Sequence, residues 1–264
     1  MEKWITINGI TIRCQVSDES ENQNGCEFLT RGDCPKCTCT ECEHGLIVRK
    51  DADGMLYSKP CRFGDHAIVR RRLRNAGMLQ LTERCTLKSF VAETNWQLAM
   101  LQTAQSYVQE RVWRAGKGLF LSGQSGAGKS HLAVAVASEA AAAGAKPQWF
   151  RWNSEGYRLK SLASDPQGYQ NMLRPFLISD LLLLDDLWKA QPTQADLRLA
   201  FEILDTRVAN GRATILTSER SLAEISSLLD GAGEAVSGRI FESCSPYILE
   251  VAKDASRNYR FNRQ

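Results

Sequence analysis

The chain has 264 residues, a composition that is 43 % hydrophobic and 24 % charged, and a formal net charge of +3. These values are typical of a globular protein and exclude a chain too charged and too poor in apolar residues to fold. The net charge is also too small to identify a nucleic-acid-binding protein by itself. At this length we expect a small domain followed by a medium-sized one.

The first residues, "MEKWITINGI", lack the apolar core of a signal peptide. No stretch of the sequence approaches the ~18 consecutive apolar residues of a membrane span. We therefore expect a cytoplasmic protein that does not engage a membrane. Disulfides are rare in that compartment, where clustered cysteines more often hold a metal or carry out redox chemistry.

The segment "DCPKCTCTEC", residues 33–42, contains four cysteines. Cys34 and Cys37 form a C-x2-C pair. The turn between them lets two thiolates coordinate one metal ion, so zinc is the first candidate metal. Cys39 and Cys42 could complete the site directly, although such crowding would strain a single-ion site. A thiol redox site or an iron–sulfur cluster is the alternative interpretation.

The cysteines also mark a domain boundary, because eight of the nine lie at or before Cys85 and only Cys244 follows. A segment of roughly 75 residues with few large apolar runs cannot bury much core, and such small domains commonly need a metal or disulfide staple. Zinc can contribute ~10–16 kcal/mol of folding free energy in small fingers. We predict a zinc-binding, partner-binding domain over residues 1–75, a linker over 76–94 and an ATPase domain over 95–264.

A basic segment, "RRRLRNAGM", lies at the predicted boundary between the two domains. Its clustered arginines are typical either of a solvated helix face or of a contact with phosphates or an acidic partner. The arginines are Arg70, Arg71, Arg72 and Arg74.

The strongest signal is "LFLSGQSGAGKSHLAVAVA", which places G-x-x-x-x-G-K-S over residues 123–130, between an apolar strand and an alanine-rich helix. The glycines allow the backbone to curl so that its N–H groups point at phosphate oxygens, and the helix adds its positive end. Lys129 is predicted to reach the β- and γ-phosphates of ATP, and the Ser130 hydroxyl to bind Mg²⁺. Gly144 and Pro147 are predicted to end the helix.

A second acidic motif, "ISDLLLLDDLW", supplies the carboxylates that a phosphate-binding loop needs. Leu181 to Leu184 form a buried strand of the parallel type, and ligands bind at the carboxyl ends of such strands. Asp185 is predicted to hold Mg²⁺ through its water shell, and Asp186 to orient or deprotonate the attacking water. A pair of helix-capping aspartates is the alternative.

A third strand, "ATILTSER", follows an amphipathic helix that Gly211 is predicted to end. Thr217, Ser218 and Glu219 come at the end of this strand, where polar groups could sense a phosphate or simply form a turn. Strands that alternate with helices predict an α/β fold with a parallel sheet covered on both faces. The predicted apolar face of the helix consists of Leu197, Phe201, Leu204 and Val208.

From about Cys85 to its end, the sequence resembles the DnaC/IstB branch of AAA+ ATPases. "CTLKSFVAETNWQLAMLQTAQSYV" resembles the helix that precedes the phosphate-binding loop, "GQSGAGKSHLA" the Walker A motif and "LLLLDDLW" the Walker B motif. The resemblance implies a P-loop AAA+ fold, a three-layer αβα sandwich, with ATP and Mg²⁺ as ligands. The nucleotide-binding residues it implies include Gly123, Gln124, Ser125, Gly126, Ala127, Gly128, Lys129, Ser130, His131 and Asp185.

Two later segments resemble arginine motifs of the same branch. "GEAVSGRIFE" resembles the segment that carries the arginine finger, which implies that Arg239 acts on the γ-phosphate of a neighbouring subunit. "DASRNYR" resembles the strand with the sensor-2 arginine, for which Arg257 and Arg260 both fit. Hydrolysis would then require a homo-oligomer.

One position departs from the branch, which usually has Asn at the end of the sensor-1 strand. Here the sequence reads Thr217-Ser218-Glu219. The Ser218 hydroxyl could still bond a water or a phosphate and is the predicted catalytic residue at this position. A carboxylate at Glu219 would repel a γ-phosphate, which puts the hydrolysis rate in question.

The cysteine-rich segment resembles the zinc ribbons that some helicase loaders carry before their ATPase domain. In that resemblance Cys61, in "SKPCRFGDH", belongs to the return arm. The fourth ligand stays open among Cys39, Cys42 and His66, with Cys26 and His44 as further candidates.

The function that the resemblance implies is that of a replicative helicase loader, with a DnaB-type helicase and single-stranded DNA as partners. An IstB-like helper of DNA transposition is the first alternative. A P-loop kinase acting on a small acceptor is the second, because "RWNSEGYRLKSLASDPQGYQNMLR" contains arginines that a kinase lid would need. A non-hydrolysing ATP-binding adaptor is the third.

Overall fold

The computed structural model describes residues 2–7, 10–15, 46–50, 56–60, 64–254 and 257–259, with side chains from residue 68 onward. Two compact units divide at Arg72, the first over Met1–Arg72 and the second over Leu73–Gln264. Within its described residues, the first unit contains two antiparallel strand pairs. Strand β1 (Glu2–Ile7) pairs with β2 (Ile10–Gln15), and β3 (Leu46–Lys50) pairs with β4 (Leu56–Pro60).

The predicted zinc ligands Cys34, Cys37, Cys39, Cys42 and Cys61 lie outside the described residues, as does Arg260. The structure therefore leaves the zinc site a prediction. Among the residues that the structure describes, none of the helices has the length and apolar character needed to cross a membrane.

Three helices precede the sheet: α1 (Gly64–Asn75), α2 (Leu79–Thr82) and α3 (Asn95–Gln109), followed by a 3-10 turn at Val112–Ala115. The segment that resembles a lead-in helix is thus helical only in its second half. Thr94 accounts for this start, because its backbone N–H and its hydroxyl both donate to Oε1 of Gln97 in a capping-box arrangement at the N-terminus of α3.

Five parallel strands form the sheet, in the order β6–β7–β8–β5–β9. Their bounds are β5 (Leu119–Ser122), β6 (Pro147–Arg151), β7 (Leu181–Leu187), β8 (Ala213–Ser218) and β9 (Ile248–Glu250). Consecutive leucines of β7 are all fully buried although they point to opposite faces, which requires that both faces be covered. The predicted parallel α/β sheet is confirmed.

Helices pack on both faces of this sheet. Helix α4 (Lys129–Ala142) contacts β7 and β8, with α3 outside it, whereas α7 (Gln194–Ala209) and α9 (Glu234–Cys244) contact β8 and β5. The other helical segments are a π-helix (Trp152–Gly156), α5 (Tyr157–Ser161), α6 (Pro166–Ile178) and α8 (Leu222–Ser226).

The apolar face of α7 is rotated from the face that the spacing predicts. Leu197 and Leu204 are buried, but Phe201 and Val208 are only partly so, and Ile203 is fully buried instead. Helix α7 contacts α6 and α9 as well as β8, so three neighbours widen its buried face. The helix ends at Ala209 with Gly211 in a left-handed conformation, close to the predicted end.

Arg207, on the sheet side of α7, is fully buried. Its guanidinium donates to the carbonyl oxygens of Phe176, Leu177 and Ser179 at 2.6–3.1 Å and to the Thr214 hydroxyl at 3.0 Å. Burial lowers the pKa of Arg207 to about 9. Because these acceptors belong to the end of α6 and to β8, one side chain fixes three elements on the same face of the sheet.

Candidate nucleotide-binding site

The loop from Gly123 to Gly128 joins the end of β5 to the start of α4. Gly126 and Gly128 have φ angles of +80° and +87°, which residues with a Cβ rarely adopt. A Cβ at Gly128 would lie 2.6 Å from Cε2 of Phe90, and one at Gly126 would collide with the side chain of Asn258. The sequence requires glycine here both for the curl of the backbone and for the residues packed on the loop.

Lys129 is folded into this loop. Its side chain is buried, and its Nζ donates to the carbonyl oxygens of Gly123 at 2.8 Å and Gln124 at 2.9 Å. Burial lowers the pKa of Lys129, while the carboxylates of Glu219, Asp186 and Asp185 act in the opposite direction. The ammonium is thus held where the loop would receive negatively charged phosphate oxygens.

The Walker B aspartate is held by hydroxyl groups from two elements. Ser130 donates to Oδ1 of Asp185 at 2.8 Å, and Thr217 donates to the same oxygen at 2.6 Å. Asp185 is buried at the carboxyl end of β7, beside the start of α4. A hydroxyl and a carboxylate at this spacing are oxygen ligands of the kind Mg²⁺ takes beside substrate phosphates, so the residues fit a magnesium–nucleotide complex.

Asp186 follows Asp185 within β7, in the irregular strand end formed by residues 186–188, which we call the strained turn. Its φ is +55°, its side chain is half-buried, and its backbone N–H donates to the Thr217 hydroxyl at 2.9 Å. Burial raises the pKa of Asp186, Asp185 raises it further, and Lys189 and Lys129 lower it. The turn separates the two carboxylates, so that only Asp185 accepts from Ser130.

At the end of β8 the structure separates the two neighbouring hydroxyls. Thr217 points to Asp185, whereas the Ser218 hydroxyl donates to the carbonyl oxygen of Leu187 at 2.9 Å and accepts from the N–H of Arg220. Successive residues of a strand point to opposite faces, so only one of them can meet Asp185. The strand alternation predicts that one of the two hydroxyls meets Asp185, but not which one. Ser218 remains a predicted catalytic residue whose hydroxyl is bonded to backbone here.

Glu219, the residue expected to repel a γ-phosphate, lies near a cation. Its carboxylate is 3.7 Å from Nζ of Lys189, which follows Trp188 after the Walker B strand. This pair is partly exposed, so it reduces the negative potential at the site only modestly.

His131, predicted among the nucleotide-binding residues, contacts the segment that precedes α3. Its Nε2 lies 2.9 Å from the carbonyl oxygen of Thr86 and 3.4 Å from the Ser89 hydroxyl, and its ring meets the Phe90 ring edge-on at 5.4 Å. The histidine thereby holds residues 86–90 against the start of α4 and places Phe90 on the phosphate-binding loop.

The C-terminal segment lies on the other side of the loop. The N–H of Tyr259 donates to the carbonyl oxygen of Gly126 at 3.1 Å, and that of Asp254 donates to Oε1 of Gln124 at 2.6 Å. Arg257 donates to the carbonyl oxygen of Ala252 at 2.8 Å, and its guanidinium lies 5.7 Å from the centre of the Trp96 ring. Sequence reasoning missed Phe90 and Asn258, which pack on the loop, and Trp96, which Arg257 contacts, because no local pattern predicts these long-range contacts.

Arg239 lies on α9 and is partly exposed. It pairs with Asp205 at 2.8 Å and Glu242 at 2.6 Å, and its guanidinium lies 5.9 Å from the centre of the Phe201 ring. These contacts are all to residues of α7 and α9. Within the part of the chain that the structure describes, Arg239 contacts none of the other predicted site residues.

Ser125 and Ala127 complete the loop that the other nucleotide-binding residues form.

The profile of the family described as IstB-like ATP binding protein matches residues 70–261. The chain belongs to this family. The match confirms the predicted DnaC/IstB branch of AAA+ ATPases as the family of the chain, and ATP and Mg²⁺ as the ligands typical of it.

Among curated relatives of this IstB-like protein, the replicative helicase loader DnaC of Escherichia coli K12 is 24% identical over 173 residues, covering 65% of this chain and 69% of DnaC. Protein XkdC of the phage-like element PBSX of Bacillus subtilis is 26% identical over 232 residues, covering 84% of this chain and 83% of XkdC.

Solved structures of similar fold include the DnaC helicase loader, with a TM-score of 0.57 and 28% identity over 64% of this chain and 98% of that one. DnaI has a TM-score of 0.54 and 19% identity over 68% of this chain and 92% of that one. The replication initiator DnaA, bound to AMPPCP and single-stranded DNA, has a TM-score of 0.53 and 23% identity over 64% of this chain and 50% of that one. The similarity to DnaI and to DnaA is one of fold.

Proposed function

We propose that this IstB-like protein is an AAA+ ATPase that loads a replicative, DnaB-type helicase and binds single-stranded DNA. The observation that carries the ATPase assignment is the juxtaposition of Lys129, Ser130 and Asp185, with Asp186 in the adjacent turn. Magnesium supplies charge neutralisation for the transferred phosphoryl group when it is bound. Ser130 and Asp185 would hold it, Lys129 would bind the β- and γ-phosphates, and Asp186 would orient the attacking water.

Similarity to the replicative helicase loader DnaC supports helicase loading over the kinase alternative. So does the segment expected to form a kinase lid. Its residues form the π-helix, α5 and α6, and it buries Leu159 and Leu173 in the core rather than standing free as a lid.

A surface suited to single-stranded DNA supports the DNA partner. Tyr157 is 72% exposed, and Arg151 and Arg158 lie on either side of it in sequence, both with mostly exposed side chains. Exposed aromatic rings stack on bases and arginines bind the phosphates, so this set, the basic-aromatic patch, has the chemistry of a single-strand contact. The proposal predicts binding that weakens as salt rises.

A helper of DNA transposition is the second candidate, which the IstB-like family match favours. Affinity purification of the tagged full-length chain from its native host distinguishes the two. We expect a hexameric replicative helicase to co-purify, and more of it with ATP than without. Recovery of a transposase and no helicase would reverse the assignment.

We further propose that Cys34, Cys37 and Cys61, with Cys39, Cys42 or His66 as the fourth ligand, bind zinc in an N-terminal domain that contacts the helicase. Metal analysis of the purified full-length chain should find about one zinc per chain, as expected of a single tetrahedral site. Cys37→Ser should lose the metal, whereas Cys85→Ser should keep it, because Cys85 is a free cysteine of the ATPase unit. Iron in place of zinc would contradict the proposal.

A further inference from the structure

The strained turn at the end of the Walker B strand contains two bulky residues with positive φ angles. Asp186 and Trp188 have φ angles of +55° and +53°, and the register of β7 against β8 shifts between Leu184 and Leu187. Bulky residues persist in this conformation only where the surroundings hold them. Part of that support is local, since the carbonyl oxygen of Trp188 accepts from Nε of Arg220 at 3.1 Å.

The packing of the Trp188 indole is the second constraint on the backbone conformation of the strained turn. Trp188 is 1% exposed, and its Nε1 has no hydrogen-bond partner within the described residues. A buried indole N–H usually has a partner, so ring packing rather than polar bonding fixes this side chain. The Trp152 ring meets it edge-on, with 6.0 Å between ring centres and 85° between ring planes.

Trp152 begins the π-helix that leads directly to the basic-aromatic patch. π-helices are rare and are frequently found at functional sites. Glu155 of this helix is buried and accepts from Arg151 at 2.9 Å and Arg158 at 3.2 Å, so both arginines of the patch are tied to it. The π-helix, the contact between the two tryptophan rings and the short stretch of chain from Trp188 back to Asp186 therefore connect the patch to Asp186.

We propose that Trp188 is a positioning residue through which a single strand of nucleic acid, bound at the basic-aromatic patch, orients Asp186 and accelerates ATP hydrolysis. This inference rests on the proposed function. Phosphates that engage Arg151 and Arg158 compete with Glu155 for the two guanidinium groups, which changes the constraints on the π-helix. Because the two indoles are closely packed, a displacement of Trp152 is passed to Trp188 and to the strained turn.

The test measures steady-state ATP hydrolysis by the full-length chain with and without oligothymidylate, together with the binding of each ligand. In the wild type, the oligonucleotide should raise kcat and leave KM for ATP unchanged. Trp188→Phe and Trp152→Phe should each remove this stimulation while still binding ATP and the oligonucleotide. Trp113→Phe is the matched control, because Trp113 is a buried indole in the 3-10 turn after α3, and it should keep the stimulation.

A merely structural role would lower the rates with and without oligonucleotide in proportion and leave their ratio as in the wild type, which would overturn the inference. If Trp188→Phe does not fold, Trp152→Phe can be used in its place, because it alters the other ring of the same contact. Wild-type protein that hydrolyses ATP and binds the oligonucleotide without stimulation would overturn the inference alone. Protein that does neither would overturn the proposed function as well.

Discussion

Lys129→Ala should abolish measurable ATP binding. Its ammonium is the one cation between Gly123 and Ser130 in the sequence, and it is held by two carbonyl oxygens of the loop. Removing a buried charge that pairs with a phosphate costs about 3 kcal/mol or more, which is a ~100-fold or greater loss of affinity. Titration calorimetry or a fluorescent ATP analogue measures this loss directly.

Lys146→Ala is the control for that experiment. Lys146 is an exposed lysine in the turn between α4 and β6, so its removal should leave ATP affinity unchanged. Circular dichroism should show that both variants are folded, because Lys129 also bonds the loop. If folded Lys129→Ala protein bound ATP as tightly as the wild type, the proposal that this loop binds the phosphates of ATP would be wrong.

Arg239→Ala should spare ATP binding and nearly eliminate hydrolysis by the assembled protein. An arginine finger that reaches a neighbour's γ-phosphate is worth ~10³–10⁵ in rate. In the single chain Arg239 instead pairs with Asp205 and Glu242. Such solvent-screened surface pairs contribute little to stability, so they can be exchanged for a phosphate at little cost.

Mixing two inactive variants tests whether Arg239 acts between subunits. Asp186→Ala lacks the proposed water-orienting carboxylate but keeps the arginine, so mixed assemblies with Arg239→Ala should contain some complete sites and regain activity. Arg198→Ala, which removes an exposed arginine on α7, should hydrolyse ATP like the wild type. A strictly monomeric protein with full activity would contradict the role of Arg239 in a neighbour's site.

The sequence was sufficient for the parts of the site that local patterns encode. The glycine spacing before Lys129 predicts the loop, because the backbone conformations needed there are open to few other residues. The leucine run before Asp185 predicts a strand buried on both faces and hence the edge at which ligands bind. These two motifs also carried the family resemblance, which the profile match confirmed.

Contacts between distant segments were not predictable in the same way. Thr217 rather than Ser218 meets Asp185, His131 holds Thr86, and Arg257 lies over Trp96. Each pairing joins residues more than 30 positions apart, and neither periodicity nor motif spacing states which distant side chains will meet.

The sequence alone thus determined the α/β class, the phosphate-binding loop and the acidic strand end, because each depends on neighbouring residues. The tertiary structure decided which hydroxyl supports Asp185 and that Trp188 meets Trp152 beside the strained turn. Those outcomes follow from strand order, register and close packing of the core, which are properties of the folded chain as a whole.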